Sequence, residues 1–313
     1  MSPRMVGWVA ACLVGGLGSS GLAQEEQAKP VPPPGVGADP QEPESARQPS
    51  DPDDPETLKA VLAQIRKSHL GERDTAEDPL DRFRAALRFK LIAADQASNE
   101  IDVAAEFLMP RYLRYRVEEP GEVLERGWDD RGAWSRVGDR VESIAGRERE
   151  QEREAVRQQV GLARQLLSFL DPASVLGALS EVKLLGVRDL AVGRKEVRTC
   201  HVVRGVATRF PMFAPPADGP AEPRCVVQAW FDIEDDRLTA VVITPLGEGE
   251  RPIALPEFVL LRGYAEGRGV AVPTSLLVYQ GPPGSGRPLA SVVVRAIDLD
   301  PDGLSKDLLR RPG

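Results

Sequence analysis

Arg82–Ile92, "RFRAALRFKLI", is the stretch on which the architecture turns. Phe83, Ala85, Leu87, Phe89 and Leu91 alternate with Arg82, Arg84, Arg88 and Lys90. A period of two over ten residues predicts a strand with one buried face. The same period recurs downstream, where Ile101, Val103, Ala105, Phe107 and Met109 alternate with Asp102 and Glu106. One outer face is basic and the other carries acids, which suits antiparallel neighbours. Leu113, Tyr115 and Val117 then alternate with Tyr112, Arg114 and Arg116, and Val123–Trp128 and Ala133–Val137 flank "DDRG", a turn signal ending in Gly132. Five strands with short connections predict an antiparallel meander.

At Gly138 the period changes. "DRVESIAGREREQEREAVRQQVGLARQLLSFLD" (139–171) reads as a helix, charged in its first half and apolar in its second. Val156, Val160, Ala163, Leu166, Leu167 and Leu170 form a stripe that can lie on a sheet. The Arg/Glu run before it reads as a solvated, ion-paired face rather than a binding patch. A second helix is expected over Ala173–Leu185, after Pro172. Strands resume over Lys195–Val206, Cys225–Ile233, Arg237–Thr244, Glu257–Tyr264, Val270–Gln280 and Leu289–Leu299. Pro273 falls inside the Val270–Gln280 segment, where a ladder donor is missing, and marks that strand as an edge or its vacant position as outward-facing. Ahead of the meander, "DPETLKAVLAQIRKSHLG" (54–71) is an amphipathic helix with Leu58, Val61, Leu62 and Ile65 on one face and Gly71 as its stop. The plan is α+β: a curved antiparallel sheet of about eleven strands with helices gathered on one face.

The N-terminus has Arg4, an apolar run from Met5 to Leu17, then small residues up to Ala23. That order predicts a secretory signal peptide over residues 1–23, cleaved near Ala23, and an exported, periplasmic or secreted protein. The apolar run is shorter than the ~20 residues of a membrane span. Val9-Ala10-Ala11-Cys12 imitates a lipoprotein box and leaves lipidation of Cys12 as an alternative, although Cys12 precedes much of the apolar run. Residues 24–56, rich in Pro, Asp and Glu, read as a disordered tether, which leaves 57–313 as the folded domain. A net charge of −8 and few aromatic residues argue against a nucleic-acid partner and against tight docking on anionic lipid.

Export places the two cysteines of the folded domain, Cys200 and Cys225, in an oxidising compartment, where a disulfide across two paired strands is expected. His201 beside Cys200 raises a metal site as the alternative, but His69 is the only other histidine, too few for a zinc set. "GPPGSG" (281–286) lacks the Lys-Ser/Thr of a phosphate loop and reads as a hairpin loop. "DLDPDG" (298–303) copies the first half of a calcium loop, but Leu309 stands where the bidentate Glu belongs, so a polar turn is expected. No Ser-His-Asp or Cys-His-acid set is singled out, and the expectation is a non-enzymatic protein without cofactor or metal.

Further signals are Met109-Pro110-Arg111-Tyr112-Leu113-Arg114 entering a strand, Trp128 and Trp134 around a Gly turn, "FDIEDDRLTAVVI" (231–243), and the tail from Gly263 through "VPTSLLVY" to "DLDPDGLSKDLLRRP". With these, the plan resembles the LolA/LolB-like fold of periplasmic lipoprotein carriers and the wider set of outer membrane lipoprotein-sorting protein-like sequences. The resemblance spans most of 57–312. It implies an incomplete eleven-stranded barrel whose helices form a lid over an apolar cavity. The implied partner is an apolar ligand, an acyl chain or a lipoprotein. The candidate lining residues are Leu91, Phe107, Tyr115, Trp128, Trp134, Leu166 and Leu170. For each of them the alternative is a place in a filled core. Because the same architecture also serves envelope-stress regulators, the second functional reading is a protein-interaction or sensor module. The sequence departs from the carriers in its long charged helical insertion and in the Pro-rich insertions at 207–223 and 281–288.

Overall fold

The computed structural model describes residues 55–91, 100–119, 122–192, 196–213, 216, 222–282 and 286–312. The expected signal peptide, with Cys12, and nearly all of the tether lie outside the described residues.

Helix α1 (Pro55–Leu70) opens the fold, with Glu56 in its first turn and Lys67 in its last, both matched to the helix dipole. It stops at Gly71, whose φ of 55° is one that glycine adopts without strain. Val61, Ile65, His69 and Leu70 bury its inner face.

Strands β1 (Arg82–Leu91), β2 (Glu100–Leu108), β3 (Tyr112–Glu119), β4 (Glu122–Asp129), β5 (Gly132–Val137) and β6 (Arg140–Ser143) form the first meander. A second follows the helices α2 (Glu150–Leu170) and α3 (Pro172–Gly177). It comprises β7 (Ser180–Ala191), β8 (Val197–Ala207), β9 (Cys225–Asp232), β10 (Leu238–Pro245), β11 (Glu257–Gly267), β12 (Val270–Gln280) and β13 (Arg287–Leu299). A short helix α4 (Lys306–Leu309) ends the chain. All thirteen strands belong to one antiparallel sheet in the order β6-β5-β4-β3-β2-β1-β13-β12-β11-β10-β9-β8-β7.

The two meanders join where β1 pairs with β13, from Phe83↔Leu299 to Leu91↔Ala290. The sheet is curved and open, with β6 and β7 as its two edges. The chain must therefore travel from one edge to the other between residues 144 and 179, and it carries α2 and α3 across the concave face as it does so. One hydrophobic core lies there, drawn from α1, α2, α3 and both meanders.

The sign pattern read from β1 and β2 is realised in register. Arg84 faces Glu106, Arg88 faces Asp102 and Lys90 faces Glu100 on the convex side. Arg84 and Arg88 close ion pairs of 2.8 and 2.9 Å with Glu106 and Asp102. The inward residues Phe83, Ala85, Leu87 and Phe89 are all buried.

Four expectations are corrected. The sheet has thirteen strands rather than eleven, because β6 and β7 fall where helix was expected. The second correction is to the two helices: the one read from Asp139 begins at Glu150, after β6 and one 3₁₀ turn, and the one read over Ala173–Leu185 ends at Gly177, with β7 starting at Ser180. Register shifts between Ser180 and Lys183 and between Leu184 and Val187, with positive φ at Glu181 (54°) and Gly186 (83°), break the alternation that marks a strand. Bulges of this kind protect an edge strand and also hide it from a period-two search.

The third correction is to the edge-strand reading of Pro273, which lies in β12, a central strand. It faces Tyr264 of β11, but the β12–β13 ladder begins only at Ser275↔Val293. The first residues of β12 run past the end of that ladder, so the proline is tolerated because one neighbour is absent there, not because the strand is an edge.

The fourth is the disulfide. Strands β8 and β9 do pair, but Cys200 faces Asp232 while Cys225 faces Ala207, and both thiols are free. Seven residues separate Cys200 from Ala207 along β8, about 24 Å at ~3.4 Å per residue, and an odd spacing puts them on opposite faces. Cys225 is part of the main core, whereas Cys200 belongs to a small cluster on the convex side with Leu190, Val192, Ala240 and Leu260.

Candidate functional site: a cavity between the sheet and helix α2

Beneath α2 the packing is incomplete. A cavity of about 40 Å³ remains between the helix and the middle of the sheet. Its floor is Phe83, Leu87 and Phe89 of β1, Val103 and Ala105 of β2, Leu113 and Tyr115 of β3, and Val259, Leu276, Val278 and Val292 of β11–β13. Its roof is Gln159, Leu162, Ala163, Gln165, Leu166 and Phe169 of α2. The floor is apolar because inward positions of alternating strands are apolar, and the strands meet there at the β1–β13 junction.

Of the sequence-derived candidates, Tyr115 and Leu166 line the cavity. Phe107 and Leu170 are fully buried in the surrounding core, and Trp128 is partly buried against it. Trp134 is buried on the other face: it faces Gly127, one position out of step with the inward Ala133. A β-carbon on Gly127 would lie 2.4 Å from the Trp134 indole, so glycine is required where the ring crosses β4. Leu91 pairs with Ala290 at the end of β1.

Polar groups sit at two places around this apolar space. At one, Gln165, almost fully buried, donates from Nε2 to the Pro211 carbonyl (3.4 Å) and to Glu257 Oε1 (3.3 Å). The same carboxylate oxygen accepts from the Phe213 backbone N–H at 3.1 Å. Arg164 on the next position of α2 pairs with Glu222, so α2 is clasped to both ends of the β8–β9 connection. Cys225 lies near this carboxylate, and burial first, then the charge of Glu257, pushes its thiol up to about 12.

At the other, Arg126 of β4 is opposite Tyr115 in register. Arg126 is buried, and its Nη2 contacts Glu152 Oε1 of α2 at 3.1 Å. Glu152 turns its second oxygen to Arg149 Nε at 2.8 Å. Arg149 in turn donates to Ser135 Oγ (3.1 Å) and Glu142 (3.2 Å). The Tyr115 hydroxyl and Arg126 Nε are both buried without a hydrogen-bond partner. Burial raises the Tyr115 pKa, and the neighbouring guanidinium of Arg126 works against that rise. Arg126, Glu152, Gln159 and Gln165 were not read from the sequence. The available signal was Arg126 between Leu124 and Trp128, a charge at an inward position of a strand.

Other features singled out in the sequence are absorbed by structure. His69 accepts a backbone hydrogen bond from Leu238. Asp298 and Asp300 pair with Arg268 (3.4 Å) and Arg82 (3.3 Å). Among the described residues no group of three or more His, Cys, Asp or Glu is placed to hold a metal, and no helix is long and apolar enough to cross a membrane.

No protein-family model matches the chain, and no curated protein matches it. Solved structures do. A LolA superfamily protein from Nitrosomonas europaea is 10% identical over 81% of this chain and 97% of its own, with a TM-score of 0.42. A DUF1329 family protein from Desulfovibrio piger is 11% identical over 83% and 98%, also at 0.42. A Vibrio parahaemolyticus domain described as an outer membrane lipoprotein-sorting protein is 10% identical over 80% and 94%, again at 0.42.

Proposed function

We propose that this is an exported, non-enzymatic protein that holds an apolar ligand, an acyl chain of a lipid or lipoprotein, between the concave sheet and α2. The observation that carries the reading is the cavity at that interface, walled mostly by aliphatic and aromatic side chains from six strands and one helix. At about 40 Å³ it has room for about three waters, whereas ligand pockets run to ~300–1,000 Å³. Entry of a chain therefore requires α2 to lift as a lid. The apolar face of α2, the buried Gln165 hydrogen bonds and the part-buried Arg164–Glu222 pair resist lifting. A dozen buried methylenes of an entering chain supply roughly 10 kcal/mol at ~0.8 kcal/mol each against that cost.

The small size of the cavity favours one alternative, an envelope protein-interaction or sensor module whose core simply closes under α2. The two readings part in one experiment. Native mass spectrometry of purified protein, before and after lipid extraction, is combined with titration of a fluorescent fatty acid. The carrier reading expects a co-purifying or added acyl ligand at one per chain. A protein that is ligand-free and does not bind the probe overturns it in favour of the interaction module.

A further inference from the structure

We propose that the cleft reads one end of its ligand, and that Arg126 and Tyr115 seat the carboxylate of a long-chain fatty acid whose alkyl tail lies under α2. The inference rests on the acyl-binding reading above and narrows it to a charged amphiphile.

Three observations carry it. First, the two donors are adjacent and idle. Tyr115 forms part of the cavity wall, its partner across the β3–β4 ladder is Arg126, and the hydroxyl and Nε are buried without acceptors. An unmet buried donor costs about 1–3 kcal/mol, so a fold that retains two side by side has an acceptor to gain there. Second, the buried end of an ion-pair chain is a cation. Ion pairs join Arg126 to Glu152, Glu152 to Arg149, Arg149 to Glu142 and Glu142 to Arg140. Arg140 at one end is exposed to water, whereas Arg126 at the other is buried beside the cavity wall with Glu152 as its one ion-pair partner among the described residues. Third, exchange is possible without stranding a charge. Glu152 already holds Arg149 through its second oxygen, so Arg126 can turn to an incoming carboxylate while Glu152 keeps a partner.

The two idle donors also match the head group in kind. A carboxylate accepts through two oxygens, and one guanidinium N–H with one phenol O–H supplies both bonds. An alcohol head accepts an uncharged hydrogen bond there but brings no charge to Arg126 and no second oxygen.

The test compares palmitate with hexadecanol, which has the same tail and no charge, by displacement of a fluorescent fatty acid from the purified protein. The expected result is tighter binding of palmitate by roughly 10–100-fold, the worth of charge-assisted hydrogen bonds. Tyr115→Phe, a near-isosteric change, and Arg126→Met are expected to erase most of that preference, read as the ratio of palmitate to hexadecanol affinity within each variant. If Arg126→Met does not fold, Tyr115→Phe decides alone. Equal binding of acid and alcohol by the wild-type protein, or a preference that survives in Tyr115→Phe, overturns the head-group seat and leaves the apolar cleft standing. Binding of neither compound overturns both.

Discussion

A lone pair on His69 Nε2 holds the end of α1 to the start of β10, accepting the Leu238 N–H at 3.0 Å. The ring stands edge-on to Phe231 and Tyr264, and burial, helped by the charge of Arg237, lowers its pKa from 6.5 to about 4. The unfolded chain thus takes up a proton that the folded one refuses. The stabilisation is complete above pH 6.5 and is lost as pH falls through the folded value near 4. The expected loss is about 3 kcal/mol at the acid end of that window, since one unit is worth ~1.4 kcal/mol. Urea unfolding at pH 7 and pH 4.5 checks this, with His69→Gln as the reference that loses less; parallel pH profiles of the two proteins would contradict it. In the sequence His69 counted only as the second histidine, too few for a zinc set with His201, because its partner 169 positions away was not visible. Arg126 escaped for the same reason: the unmet donor exists only once β3 and β4 are paired.

At the scale of elements, strands announced themselves where one face is wet and the other dry, and failed to where an edge is bulged. β1 and β2 were read almost to their ends, whereas β7, with two register shifts, was taken in part for helix. Pro273 is the converse case, a residue whose type was informative but whose neighbours decided its meaning. Because only β11 flanks it, Pro273→Val is expected to shift stability by less than about 1 kcal/mol. Leu277→Pro, at a position paired with both Leu260 and Ser291, is expected to cost ~3 kcal/mol or more. Thermal melts of the two variants make the comparison, and a large loss in Pro273→Val would reject it. For α2, loosening the clasp with Arg164→Ala is expected to speed uptake of a fluorescent fatty acid by roughly fivefold, the equivalent of ~1 kcal/mol. Stopped-flow mixing measures this directly, and an unchanged rate would mean that α2 is held elsewhere.

For the whole molecule, the decisive contact is the least local one, β1 against β13, which no periodicity could reveal. The fold class was legible because amphipathic strands outnumber everything else, and the cavity was not, because an incomplete fit depends on side-chain volumes from elements far apart in the chain. Since one core draws on both meanders, unfolding is expected to be a single cooperative step. Far-UV circular dichroism and tryptophan fluorescence, with Trp128 and Trp134 in one meander and Trp230 in the other, should share a midpoint in urea. Two midpoints would show the meanders to be separate folding units.

The two unjoined cysteines have a practical corollary. Both thiols are strongly disfavoured as thiolates, raised to about 11 for Cys200 and about 12 for Cys225, so each reacts with an alkylating reagent only when its surroundings open. Cys225 lies on the α2 side of the sheet and Cys200 on the other. They form a pair of built-in clocks: a ligand that raises α2 should quicken labelling at Cys225 while Cys200 keeps the pace of global unfolding. If both residues accelerate together, the motion belongs to the sheet rather than to the helix above it.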